Sequence, residues 1–179
     1  GASWGTIVNE MIEKSVVRLS QALMAQKTSL ATAESCTGGL VAGSATAIAG
    51  SSSWFDQGWV TYSNAAKQAQ LGVTTETLKA HGAVSEQTAR EMAQGVLVHA
   101  PKAGLAIAIT GIAGPGGGSA DKPVGFVCFG FGVRKADSTL SILTVSKVFA
   151  GDRYAVREAS VKFALDSAYD YFSEQAERL

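Results

Sequence analysis

The sequence is poor in the residues that would announce a metal site or a disulfide scaffold. It has only two cysteines and two histidines in 179 residues. Cys36 and Cys128 are far apart and neither sits in a CxxC pair, which argues against a disulfide framework or a zinc site. His81 and His99 lie in helical-looking stretches with no metal-ligand spacing, and read as ordinary helix-end residues. Charge of one sign is also lacking: 15 Lys+Arg balance 15 Asp+Glu. A duplex-binding protein carries a basic excess or a basic face, so nucleic acid is not an expected partner. No uncharged apolar run approaches the ~20 residues needed to span a bilayer, and no signal peptide is visible. The expectation is a cytoplasmic protein with no membrane partner. Gly1-Ala2-Ser3 reads as an expression-tag remnant ahead of one domain over residues 4–179.

What is present is a foldable mixture, 46% hydrophobic and 17% charged, long enough to bury a core without staples. Ile7, Val8, Met11, Ile12, Leu19 and Leu23 recur at helical spacing, predicting an amphipathic helix from about Trp4 to Ala25. Ser29–Ala33 reads as a buried strand, followed by a helix over Leu40–Ala49 whose Ala and Gly content predicts close packing on a sheet. Trp54–Tyr62 reads as a second strand. Three helices are expected next, capped at Asn64, at Thr74 or Thr75, and at Ser85, and ending near Gly72, Gly82 and His99. Gly104–Thr110 is a wholly apolar strand, and residues 111–123 are a loop by composition. Val124–Val133 and Leu140–Phe149 read as an antiparallel hairpin, and Asp152 caps a last helix reaching about Glu177. The order predicts a three-layer α/β/α domain with a mixed sheet and a C-terminal antiparallel hairpin.

Ligands of such sheets collect at the carboxyl ends of strands, and two unusual stretches fall there: Ser35–Gly39 and Thr110–Gly118. Ser35, at a strand-to-helix turn with glycines behind it, suits a nucleophile with backbone donors and a helix N-terminus nearby. It equally suits a plain helix cap. Cys36 is the rival nucleophile, a thiol at a helix N-terminus, or else a buried packing residue. No histidine fits a Ser-His-Asp arrangement, so the candidate base is Lys67, kept neutral by burial, with the Tyr62 phenol as a proton relay. The alternatives are a solvated lysine, or a Ser63–Lys67 pair at i,i+4 spacing. GIAGPGGG is neither a Walker A loop nor a GxGxxG. Thr110 just before it is placed to point its hydroxyl into a cleft shared with Ser35. Arg153, in the first turn of the last helix, opposes the helix dipole, a cost that an anion such as phosphate would offset.

AESCTGGL, GWVTYSNAAK, HGAVSE, AITGIAGPGGGSADKPVG and GDRYAVR occur in this order. The set closely resembles the CinA carboxy-terminal domain family of nicotinamide-nucleotide amidohydrolases, from about Thr28 to the last helix. Some members carry an additional amino-terminal molybdopterin-binding-like domain, and this chain resembles the stand-alone form. The resemblance implies hydrolysis of nicotinamide mononucleotide (NMN) to nicotinate mononucleotide and ammonia, in pyridine-nucleotide salvage, with neither metal nor organic cofactor, by a homo-oligomer. It carries the serine nucleophile onto Ser35, the tyrosine and lysine onto Tyr62 and Lys67, and the loop threonine onto Thr110. Arg153 matches the arginine of the GDR motif as a phosphate contact. Glu34, Thr37, Gly38, Asn64, Gly111 and Gly114, which flank these residues, are the further expected substrate contacts, with N–H groups near Thr37 and Gly38 holding the oxyanion. Two alternatives stay open: a serine amidase for another carboxamide, and a non-catalytic nucleotide-binding or regulatory module tied to competence or DNA-damage proteins.

Overall fold

The computed structural model describes residues 4–176, with side chains described from residue 9. The expected tag remnant and the expected helix end at Glu177 lie outside the described residues. The elements run α1 (Trp4–Ala25), β1 (Leu30–Glu34), α2 (Leu40–Thr46), β2 (Phe55–Val60), α3 (Asn64–Leu71), α4 (Thr75–His81), α5 (Glu86–His99), β3 (Leu105–Gly111), β4 (Phe126–Arg134), β5 (Leu140–Val148) and α6 (Arg153–Ala176). One five-stranded sheet has the order β2-β1-β3-β4-β5. β1 is parallel to β2 and β3, while β4 and β5 run antiparallel, giving the expected mixed sheet and hairpin.

Strand alternation separates two cores. Leu30, Leu105, Ile107 and Ile109 face a cluster built by α1, α2 and α6. Ala31, Ala33, Ala106 and Ala108 face α5 and the end of α3. Large side chains on one face and alanines on the other bring α5 hard against the sheet. A Cβ on Gly130 would stand 2.4 Å from the Ala89 carbonyl oxygen of α5. The close packing expected of α2 is also present, with Ala42 3.5 Å from where a Cβ on Gly58 of β2 would stand and Val41 and Ala45 fully buried, although Gly43 of α2 faces open space.

The boundaries shift for identifiable reasons. α2 stops at Thr46, three residues before the expected end, and a 3-10 turn over Ser51–Ser53 follows it. α3 is capped by Ser63 rather than Asn64, the Ser63 hydroxyl accepting from the Ala66 N–H. Thr74 and Ser85 cap α4 and α5 in the same way. β4 starts at Phe126 because Pro123 and Gly125 make the turn before it, the Phe126 N–H donating to the Pro123 carbonyl. No helix of the described residues is long and apolar enough to cross a membrane.

Candidate active site

The chain leaves β1 toward α2 on one face of the sheet and leaves β2 toward α3 on the other. That divergence opens a crevice at the strand ends, as the strand-end rule for open sheets requires. The ladder continues one residue past each strand: the Ser35 N–H donates to the Ile109 carbonyl at 3.0 Å, and the Thr61 N–H to the Glu34 carbonyl at 2.9 Å. Ser35 is thus held between β2 and β3 by backbone bonds. Gly38 and Gly39 then take φ of +59° and +105°, the left-handed region that favours glycine, and turn the chain into α2.

A cleft of about 190 Å³ lies above this turn, lined among others by Ser35, Cys36, Tyr62, Asn64, Lys67, Thr110, Gly111 and Arg153. Ser35 and Lys67 meet there. The Lys67 Nζ lies 3.2 Å from the Ser35 Oγ, 2.9 Å from the Thr61 carbonyl and 3.0 Å from the Tyr62 carbonyl. Lys67 is 1% exposed, and burial lowers its pKa from the ordinary lysine value. Ser63, four residues earlier, is not its partner, because the Ser63 hydroxyl is the α3 cap.

The other expected residues divide into those at the cleft and those beneath it. The Thr110 hydroxyl donates to the carbonyl of Ala83, which lines the same cleft, at 2.8 Å, so its hydrogen is committed there. The exposed Tyr62 phenol meets Arg153, whose Nη2 donates to it at 3.3 Å, and what Tyr62 gives Lys67 is its carbonyl. Arg153 also donates to the Gly114 carbonyl at 2.8 Å, which ties the glycine loop to the start of α6. Glu34 and Thr37 are fully buried below the turn. The Glu34 carboxylate accepts from the Thr37 hydroxyl at 2.6 Å and from the Val41 and Ala42 N–H groups at 2.8 and 3.1 Å. It is the N-terminal anchor of α2.

Two further points depart from the sequence reading. The Gly38 N–H donates to the Ser35 carbonyl at 3.0 Å and so is committed to the turn. The N–H groups of Cys36 and Thr37 donate to no backbone carbonyl among the described residues. Cys36 is 5% exposed and burial pushes its thiol up to about 11, the opposite of the activation expected at a helix N-terminus. Burial likewise pushes the Cys128 thiol up to about 12. Arg157, one turn into α6 from Arg153, had no assigned role in the sequence reading. Its Nε donates to the Cys36 carbonyl at 3.1 Å and its Nη2 to the Thr37 carbonyl at 3.4 Å. The signal available was the four-residue spacing in GDRYAVR, which puts both arginines on one helix face.

Comparison with known proteins covers nearly the whole chain. The model of the CinA C-terminal domain matches residues 12–172. The nicotinamide-nucleotide amidohydrolase PncC of Enterobacter agglomerans is 53% identical over 156 residues, spanning 87% of this chain and 92% of that protein. The protein of the same name from Escherichia coli K12 is 49% identical over 155 residues, spanning 87% and 91%. The crystal structure of a competence-damaged protein (CinA) superfamily member from Klebsiella pneumoniae 700603 superposes with a TM-score of 0.84 at 39% identity, covering 91% of this chain and 98% of that one.

Proposed function

The chain belongs to the CinA C-terminal domain family, and on that premise we propose that it is a nicotinamide-nucleotide amidohydrolase, cleaving NMN to nicotinate mononucleotide and ammonia through an ester on Ser35. The observation that carries the reading is the buried Lys67 amine 3.2 Å from the Ser35 Oγ. A neutral amine has two N–H donors and one lone pair. The two carbonyls, Thr61 and Tyr62, take the donors. In this structure the Ser35 hydroxyl donates to the Tyr62 carbonyl at 3.4 Å and the Lys67 Nζ donates to the Ser35 Oγ. Once Lys67 is neutral its lone pair is within reach of the Ser35 hydroxyl, which turns to it for general-base catalysis.

The Ser35 Oγ adds to the carboxamide carbon while its proton passes to Lys67. The carbonyl oxygen becomes an oxyanion, met by the N–H of Cys36, which lines the cleft beside Ser35. Lys67 then gives its proton to the amide nitrogen, the C–N bond breaks and ammonia leaves. Water attacks the ester, one of its protons goes to Lys67, and Lys67 returns it to the Ser35 Oγ as the C–O bond breaks. The carboxylic acid formed gives its remaining proton to solvent and leaves as the carboxylate. Thr110, its hydrogen held by Ala83, offers lone pairs to the carboxamide NH2 and orients it. The cleft is smaller than the roughly 300–1,000 Å³ usual for drug-sized ligands, so it suits the pyridine carboxamide, with the phosphate out at the rim against Arg153. The same reading makes the protein a cytoplasmic homo-oligomer in pyridine-nucleotide salvage; light scattering on the purified protein tests the assembly.

Ammonia release measured with NMN, free nicotinamide and glutamine tests the substrate. Release from NMN alone is expected. Turnover of glutamine with none of NMN points to an amidase for another carboxamide. NMN binding without ammonia points to a non-catalytic module.

A further inference from the structure

We infer that Val84 is a specificity-determining residue, the wall that separates the Ser35 cleft from a second, larger cavity and limits Ser35 to small, single-ring acyl groups; this rests on the serine-nucleophile reading above and narrows its substrate class. HGAVSE, residues 81–86, joins α4 to α5. Two cavities meet at this segment. One is the cleft of about 190 Å³ that holds Ser35, Lys67 and Thr110. The other, of about 550 Å³, is lined by His81, Ser85, Glu86, Gln87 and Lys122 among others. Among the described residues, Val84 is the one that lines both.

A residue divides two spaces only if it cannot step aside, and Val84 is held in two ways. The backbone leading to it is fastened at three successive carbonyls. The Lys122 amine donates to that of His81. The Ser85 and Thr88 hydroxyls donate to that of Gly82 at 3.0 and 2.8 Å. The Thr110 hydroxyl donates to that of Ala83 at 2.8 Å. Ser85, which follows Val84, is buried as the cap of α5. The side chain itself is branched at Cβ, so it is stiff about χ1 and cannot fold back as a leucine or methionine would.

The two sides differ in chemistry. Beyond Val84 stand the charged groups of Glu86 and Lys122, a poor setting for an aromatic acyl group. The ribose and phosphate of NMN do not need that space, because Arg153 lies at the part of the rim formed by Tyr62 and Gly114. An acyl group wider than one ring has to pass Val84, and a hydrophobic wall of this kind discriminates by about 10- to 200-fold for a methylene-sized misfit.

Two fluorophosphonates test this, one bearing a methyl group and one a naphthyl group. The Ser35 Oγ displaces fluoride from phosphorus, and intact mass follows the rate. Neither probe needs NMN, and ammonia release from NMN is measured alongside. Wild type is expected to take the naphthyl probe at least about 10-fold more slowly than the methyl probe. Val84→Ala should raise the naphthyl-to-methyl rate ratio by about 10- to 100-fold, and Val84→Ile should lower it. A general loosening of the fold slows both probes together and leaves the ratio where it was. If Val84→Ala does not fold, Val84→Ile carries the test. Equal rates with both probes in wild type, or a ratio that stays constant in a folded variant, overturns the proposal, and ammonia release from NMN in the same protein would leave the amidohydrolase reading standing. A ratio that follows the size of residue 84 in a protein that releases no ammonia from NMN keeps this inference and sinks the substrate assignment. No labelling of the wild type by the methyl probe overturns the inference together with the serine nucleophile.

Discussion

At the scale of single residues the account turns on one proton. Lys67 is useful only when neutral, and burial lowers its pKa from 10.5. The sign follows directly. Below the lowered pKa the amine is protonated and cannot accept from Ser35, so kcat/KM falls as pH drops through that pKa and is highest above it. Lys67→Arg keeps a cation that does not deprotonate. It is expected to remove the limb and cost about 10³-fold or more in kcat. A pH–rate profile of wild type and variant checks this, and a flat wild-type profile from neutral to alkaline pH would falsify the assignment of the base. Cys36 shares the cleft but its thiol sits at about 11, mostly protonated at neutral pH. Cys36→Ala should keep activity within about threefold, because a protonated buried thiol is inert. Iodoacetamide labelling of the folded protein should correspondingly be slow.

At the scale of elements, two contacts aim the site. The Glu34 carboxylate anchors the start of α2 through three hydrogen bonds. Glu34→Ala leaves the buried Val41 N–H without its partner, and should cost about 3 kcal/mol of unfolding free energy, measurable in urea. The second contact is α5 against α3, the helix that carries Lys67. A Cβ on Gly95 would stand 2.1 Å from the Leu71 carbonyl oxygen. Gly95→Ala should therefore destabilise by about 1–3 kcal/mol and lower kcat as well, since α3 must shift; a variant with normal kcat and normal stability contradicts the packing argument.

These elements also explain what the sequence disclosed. The 3.6-residue and two-residue periods of α1, α5 and β3 were readable because each buries one face or both in the two cores. Ser35 and Thr110 stood out as hydroxyls at the ends of apolar strands, and Lys67, one turn into α3, stood out because no histidine could serve as the base. Three features were opaque. Asn64 and Ser63 are both good caps, and only the chain direction after β2 chooses Ser63. Glu34 looks like a site residue by position, yet it lies on the α2 side of β1. Arg157 acts on residues 121 and 120 positions away, a contact that no local pattern encodes.

At the scale of the whole molecule, charge contributes little to holding the fold together. Among the described residues the ion pairs are Arg18–Asp166 and Lys162–Asp166, both partly exposed and sharing one carboxylate. Formal net charge is zero. Surface pairs of this kind contribute about 0–1 kcal/mol and are screened by salt. The midpoint of thermal unfolding should therefore move by less than about 3 °C between 0.05 and 1 M sodium chloride; a large drop at high salt would mean that electrostatics bind the layers more than the two apolar cores do.

The most direct test of the central claim is ammonia release from NMN by wild type beside Ser35→Ala and Lys67→Met, with intact mass to watch for an ester on the wild type. The account predicts release by wild type only, and an ester whose mass is absent from the Ser35→Ala protein. Full activity in either variant, or activity lost only on Cys36→Ala, would contradict it.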